Sequence, residues 1–122
     1  MVMDKSNDRS ENEGLKNPVL IYVTVPDAET GTDLARLLLQ KRLCACANII
    51  PIITSLYWWQ QDITQDSEAL LLVKTVASLT DAVIELVNDK HPYDVPAVSV
   101  IPISKMNPTY KEWLIGETII KE

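Results

Sequence analysis

The chain has 122 residues, 47% of them hydrophobic and 23% charged, a balance that suits one globular domain and excludes a largely disordered chain. Its formal net charge of −6 opposes contact with a phosphate backbone, so nucleic acid is not an expected partner. No apolar run approaches the roughly 18 residues of a membrane-spanning helix, and no membrane partner is expected.

Residues 1–17 are poor in aliphatics and rich in Asp, Asn, Ser, Glu and Lys, which predicts a disordered tail ahead of a single domain over 18–122. The tail holds no apolar signal-peptide segment. Cys44 and Cys46 are two residues apart, too close for a relaxed disulfide. The expected compartment is therefore the cytoplasm.

Val19–Val25 is a β-branched run stopped by Pro26 and reads as the first strand. Asp27 is placed to cap a helix running to about Arg42, with Ala28, Leu34, Ala35 and Leu38 as its apolar stripe and Lys41 and Arg42 at its negative end. Gly31 inside that helix costs about 1 kcal/mol relative to Ala.

Ala45–Trp59 follows, with Ile49, Ile50, Ile52, Ile53, Leu56, Tyr57, Trp58 and Trp59 leaving neither face polar. A strand apolar on both faces needs cover on both, and at about 3.3 Å per residue it would run to roughly 50 Å. A chain this short cannot supply that cover, which points to an oligomer. Pro51 removes a ladder donor and marks a bulge or an edge. The chain turns at Gln60–Asp62 and returns as a strand over Ile63–Val76.

Ser78 is expected to cap a second helix, whose stripe is Leu79, Ala82, Val83, Leu86 and Val87. That helix ends before His91-Pro92, and Ala97–Ile103 forms a further strand. Asn107-Pro108 opens a short helix carrying Tyr110, Trp113 and Leu114 inward, and Thr118–Lys121 could add an edge strand. The order is β-α-β-β-α-β-α, which predicts an α+β, ferredoxin-like βαββαβ sandwich with a long central hairpin and a C-terminal helix. Both long helices cover one face of the sheet. The other face needs a cover too, a second reason to expect an oligomer.

Cys44-Ala45-Cys46 offers two soft ligands of the kind that suit Cu(I) or Zn, although cysteines between alanines more often fill space. His91, the sole histidine, stands at a helix exit between prolines, where it could bind a metal or cap the last carbonyls. Lys74 lies in an apolar strand and needs a partner. Glu68, six residues earlier on the same face, could pair with it, or Lys74 could meet an anion at a subunit boundary. Trp58-Trp59 could stack a base but is better read as packing between subunits. No nucleophile elbow, G-x-G-x-x-G or Walker loop occurs, so the protein is read as a non-enzyme.

Val25-Pro26-Asp27, Arg42-Leu43-Cys44-Ala45-Cys46-Ala47-Asn48-Ile49, Ser55-Leu56-Tyr57-Trp58-Trp59, Leu72-Val73-Lys74-Thr75 and His91-Pro92-Tyr93-Asp94-Val95-Pro96 follow one another in the order of the CutA divalent-cation tolerance family, which the chain resembles from about Val19 onward. The resemblance implies a homotrimer, similar in architecture to the PII signalling proteins, acting in divalent-cation (copper) tolerance and the response to metal ions. It implies Cu2+ or another divalent cation as the bound species and no organic cofactor. The family's proposed copper ligands fall here on Val23 and on Lys90-His91, so only His91 carries over, and Cys46 matches the family's cysteine. An alternative is a PII-like sensor that takes a small anionic ligand or a protein partner in the cleft between subunits, lined by Lys74, Tyr57, Trp59 and Glu68.

Overall fold

The computed structural model describes residues 14–118. Of the tail expected over residues 1–17, residues 1–13 lie outside the described residues, and 14–17 are described: Asn17 N–H donates to Gly14 O at 3.1 Å, and Asn17 O accepts from Ala77 N–H at 2.9 Å. The edge strand expected over Thr118–Lys121 lies outside the described residues past Thr118. Strand β1 (Pro18–Val25) leads to helix α1 (Ala28–Gln40), then to the hairpin of β2 (Cys46–Trp59) and β3 (Asp62–Val76). A 3-10 turn (Ala77–Leu79), helix α2 (Thr80–Lys90), strand β4 (Val98–Pro102) and helix α3 (Pro108–Glu117) complete the order. The described strands form one antiparallel sheet in the order β2-β3-β1-β4, the ferredoxin-like arrangement expected from the element order.

The core follows from strand alternation. Val19, Ile21, Val23 and Val25 of β1 lie on one face, beside Ala69, Leu71 and Val73 of β3, and they meet Leu34 and Leu38 of α1 and Val83 and Val87 of α2. Each such side chain contributes about 1.5–3 kcal/mol when fully buried. Gly31 belongs to this packing. A Cβ there would stand 3.3 Å from Val25 Cγ2 and 3.5 Å from Ile49 Cγ1, so the missing side chain lets α1 sit close on the sheet.

The Asp27 cap forms as expected, its carboxylate accepting the Thr30 N–H at 2.8 Å. That bond holds the carboxyl below its usual range. Helix α1 stops at Gln40, short of Arg42, because Arg42 turns left-handed (φ 58°). Leu43 N–H then reaches Leu38 O at 3.0 Å and Arg42 N–H reaches Leu39 O at 3.0 Å, the Schellman closure in which glycine is the usual residue. An ion pair from Arg42 Nη1 to Glu117 at 2.6 Å ties this turn to α3.

Three expectations are corrected. Ser78 does not cap α2; the chain makes a 3-10 turn first, Leu79 takes the cap position without a side-chain bond, and Thr80 Oγ1 donates to Ala77 O at 2.9 Å. Asn107 stands ahead of Pro108 at the start of α3 but makes no side-chain capping bond. Trp113 points outward, 44% exposed, and stacks on Tyr110 at 5.5 Å, whereas Leu114 is fully buried.

Pro51 marks a bulge. Ile50 pairs with Leu70, but Ile53 pairs with Glu68, so β2 carries one extra residue. Because alternation has period two, that residue exchanges the faces of everything beyond it. Up to Ile50 the even residues of β2 share a face with Leu70, Leu72 and Lys74. Past Ile53 the odd ones do: Ser55, Tyr57 and Trp59 lie on the face of Glu68 and Asp66.

Candidate functional site

This second face, turned away from α1 and α2, has two ends. Helix α3 packs on β3 and β1 at the Lys74 end, where Lys74 Nζ lies 5.5 Å from the centre of the Tyr110 ring, a cation–π contact. Cys46 pairs with Lys74 in register. Burial, with the nearby Cys46 thiol adding to it, raises the Tyr110 phenol, and the nearby Lys74 opposes the shift.

The other end is an open groove of about 890 Å3. Two expected residues, Tyr57 and Trp59, line it from β2, and Glu68 lines it from β3 with Asp66 beside it. The loop after α2 supplies the facing wall through Tyr93 and Asp94. Tyr93 donates its phenolic O–H to Glu68 Oε2 at 2.8 Å, and Tyr57 donates its own to Asp66. Burial first, and Glu68 second, push the Tyr93 phenol up; the bond to Asp66 is the main cause that raises Tyr57. Both phenols are therefore neutral donors at physiological pH.

His91 holds the loop in place. It is buried, its Nδ1 accepts the Tyr93 N–H at 3.1 Å, and its Nε2 lies 2.7 Å from Thr24 O. Acceptance at Nδ1 makes Nε2 the protonated nitrogen that donates to the carbonyl. Both ring nitrogens are thus occupied by backbone groups. The His91 and Tyr93 rings lie 4.6 Å apart.

The structure brings Tyr57, Trp59 and Glu68 together and leaves Lys74 out. Six residues of β3, about 20 Å of extended chain, separate Lys74 from Glu68, and neither joins an ion pair among the described residues. The expected Lys74–Glu68 pair is replaced by Tyr110 for one partner and Tyr93 for the other. With Lys74 gone from the groove, its charged lining is acidic, which opposes a small anionic ligand there.

The metal candidates are similarly apart. Cys46 sits opposite Lys74, which faces Leu20, whereas His91 is bonded at Thr24, four residues or about 13 Å farther along β1. Cys44 is buried, and burial pushes its thiol up to about 12, so it is packed rather than poised. Among the described residues no three His, Cys, Asp or Glu side chains are grouped to hold a metal ion. The described residues of one chain therefore do not fit a resident copper ion.

Tyr93, Asp66 and Asp94 were missing from the candidate set. The His91-Pro92-Tyr93-Asp94 stretch stood out in the sequence, but its partner on β3 depends on the hairpin register, which only the bulge at Pro51 reveals.

A family model described as CutA1 divalent ion tolerance protein matches residues 19–117. The Oryza sativa subsp. japonica protein named CutA 1, chloroplastic, is 46% identical over 82% of this chain and 56% of its own length. The Thermus thermophilus divalent-cation tolerance protein CutA is 41% identical over 81% of this chain and 96% of its own. The chain spans about half the length of the plant and mammalian curated relatives it matches. In three dimensions it is similar to the crystal structure of CutA1 from Oryza sativa, with a TM-score of 0.82 and 44% identity, covering 86% of this chain and 96% of that one.

Proposed function

The chain belongs to the CutA1 divalent ion tolerance family, and from that premise we propose that it serves tolerance of divalent cations, copper among them, as a cytoplasmic homotrimer without catalytic activity. The observation that carries the trimer is the hairpin arm. Past the bulge, Leu56, Trp58 and Ile63 stand on the side of the sheet that α1 and α2 cover elsewhere, yet they are 64%, 72% and 65% exposed. Apolar groups of this size on a β-arm are the mark of a surface that meets another subunit. Two copies more would also cover the open second face.

A role without catalysis is supported by the committed state of the reactive groups: Cys44 is buried, and both His91 nitrogens are bonded. Copper contact through His91 would require breaking one of those bonds, so any binding there is weak, with Cys46 the other proposed position. Sedimentation equilibrium tests the assembly: three copies of 13.7 kDa are expected at micromolar concentration, and a stable folded monomer overturns the proposal. Growth of a strain lacking the gene across graded Cu2+, Zn2+ and Co2+ tests the role. Lost tolerance restored by the gene is expected; unchanged growth counts against it.

A further inference from the structure

The second face of the sheet carries opposite charge at its two ends. At the hairpin end Asp66, Glu68 and Asp94 line the groove, with no Lys, Arg or His among its lining residues. At the other end stand Lys74 on β3, Lys111 next to Tyr110 on α3, and Lys105 in the segment that leads from β4 into α3. Ile103 N–H donates to Pro18 O at 3.1 Å, and Pro18 pairs with Val76, which puts Lys105 within two residues of the Lys74 end. Glu112 is the carboxylate of α3 that stands against these lysines, since Glu117 is bonded to Arg42. None of the three acids and three lysines joins an ion pair among the described residues. Glu68 and Lys74 are about 20 Å apart along β3, so one chain does not bring the two sets together.

Assembly changes that balance. A ring of three identical subunits is heterologous: every contact joins one patch to a different patch of the next copy. When further copies cover the second face, Asp66 and Asp94 leave water beside Glu68, which is already buried. Carboxylates taken out of water with no cation beside them are strongly unfavourable. The cover is the same chain, so it must bring the cation from its own side chains. Arg36 and Lys41 sit with α1, across the sheet, and Arg42 is paired with Glu117. Lys105 is exposed and Lys111 half-buried, and both stand at the end of the face that the groove lacks. Trp113, 44% exposed on α3, adds an aromatic ring there, so each end offers apolar surface with charge around it, the usual make-up of an interface.

We propose that in the trimer the acidic groove of one copy receives the lysine end of the next, with Lys105 and Lys111 closing on Asp66, Glu68 and Asp94. Each groove is then a composite of two subunits. The inference rests on the trimer reading and adds which ends of the chain meet.

Charge reversal on the full chain tests it, with association read by sedimentation across a urea series, because urea carries no charge. Asp66→Lys with Asp94→Lys sets like charges together at every interface and is expected to weaken association at least about tenfold. Lys105→Glu with Lys111→Glu is expected to do the same from the other side. The four substitutions together restore opposite charge, and that protein is expected to associate within about threefold of wild type. Losses that multiply in the combined variant would show that the two ends do not meet and would overturn the proposal. Should a reversed variant fail to fold, Lys105→Gln with Lys111→Gln is the milder form, expected to weaken association about fivefold or more. Its control, Arg36→Gln with Lys41→Gln, removes the same charge from the α1 side and is expected to change association by less than about twofold. Equal effects in these two, or none in the first, overturn the proposal. A wild type that sediments as a folded monomer sinks the trimer reading and this inference with it, whereas a trimer without the coupling sinks only the inference.

Discussion

Tyr57 donates to Asp66 diagonally across the hairpin: Tyr57 stands opposite Thr64, and Asp66 opposite Ser55. The two share a face only because β2 holds one residue more than β3 between Ile50 and Ile53. The bulge at Pro51 thus decides which aromatic residues share the face of Glu68 and Asp66 and which stand on the opposite face of the arm.

Deleting Ile52 should restore plain alternation and exchange the faces of the arm. Leu56 and Trp58 would then join the side of Glu68, and Tyr57 would lose Asp66. A charge-assisted hydrogen bond is worth about 1.5–3 kcal/mol, less at an exposed site, so a melting point lower by several degrees is expected. A deletion variant that keeps wild-type stability would show that the register does not govern the Tyr57–Asp66 contact.

Gly31 is where two effects compete. Alanine gains about 1 kcal/mol in helix propensity, but its Cβ must fit 3.3 Å from Val25 Cγ2. Gly31→Ala is therefore expected to stay within about 1 kcal/mol of wild type, whereas Gly31→Val should cost about 1–3 kcal/mol through overpacking. Denaturant titration of both decides it. A valine variant as stable as the alanine one would mean the contact relaxes freely.

The first strand, the Asp27 cap, both long helices and the hairpin were legible because each rests on local chemistry: β-branched runs, a capping carboxylate, a 3.6-residue stripe. Gly31 was read as a cost, since nothing local says that a neighbouring strand comes within contact of it. Gln60 and Gln61 both turn left-handed at the hairpin tip (φ 50° and 72°), a conformation that Asn-Gly advertises and Gln-Gln does not. The groove was half legible. Tyr57, Trp59 and Glu68 were named together with Lys74, because alternation puts Glu68 and Lys74 on one face, but alternation does not give their distance or what α3 covers.

Tyr93→Phe should strip Glu68 of its donor. Glu68 is only 8% exposed, and a buried acceptor left without its partner costs about 1–3 kcal/mol. The variant also has a pH signature. The folded-state phenol is raised above its unfolded value, so its stabilisation is present below the unfolded pKa of about 10 and is lost as pH rises through the higher folded value. Wild type is expected to lose more stability than Tyr93→Phe on going from neutral pH to above pH 10. Parallel alkaline melting curves for the two proteins would sink this account of the pair.

Copper should bind weakly, since a ligand at His91 must displace either Tyr93 N–H or Thr24 O. Calorimetry with Cu2+ on wild type and His91→Ala reads this directly. A reduced affinity is expected in the variant. Unchanged affinity would move the contact elsewhere, with Cys46→Ser the next comparison.

The bulge also separates the two tryptophans at the hairpin tip. Trp59 lies on the face of Glu68 and Asp66, whereas Trp58 lies on the opposite face, 72% exposed in one chain, though both border the groove. If a neighbouring subunit covers the arm, Trp58 is buried there, and truncating a buried Trp to Ala costs about 3–5 kcal/mol. At an interface that cost weakens association, so the melting temperature of Trp58→Ala should depend on protein concentration more steeply than that of wild type. Its sedimentation should shift toward monomer. Trp59→Ala should weaken association in the same way, because the further copies are expected to cover the second face as well. If Trp58 stays in water in the assembled protein, its alanine variant will melt within about a degree of wild type at every concentration, as exposed substitutions usually do. Thermal unfolding and sedimentation of the two single variants over a hundredfold concentration range therefore test whether both faces of the arm meet a neighbouring subunit.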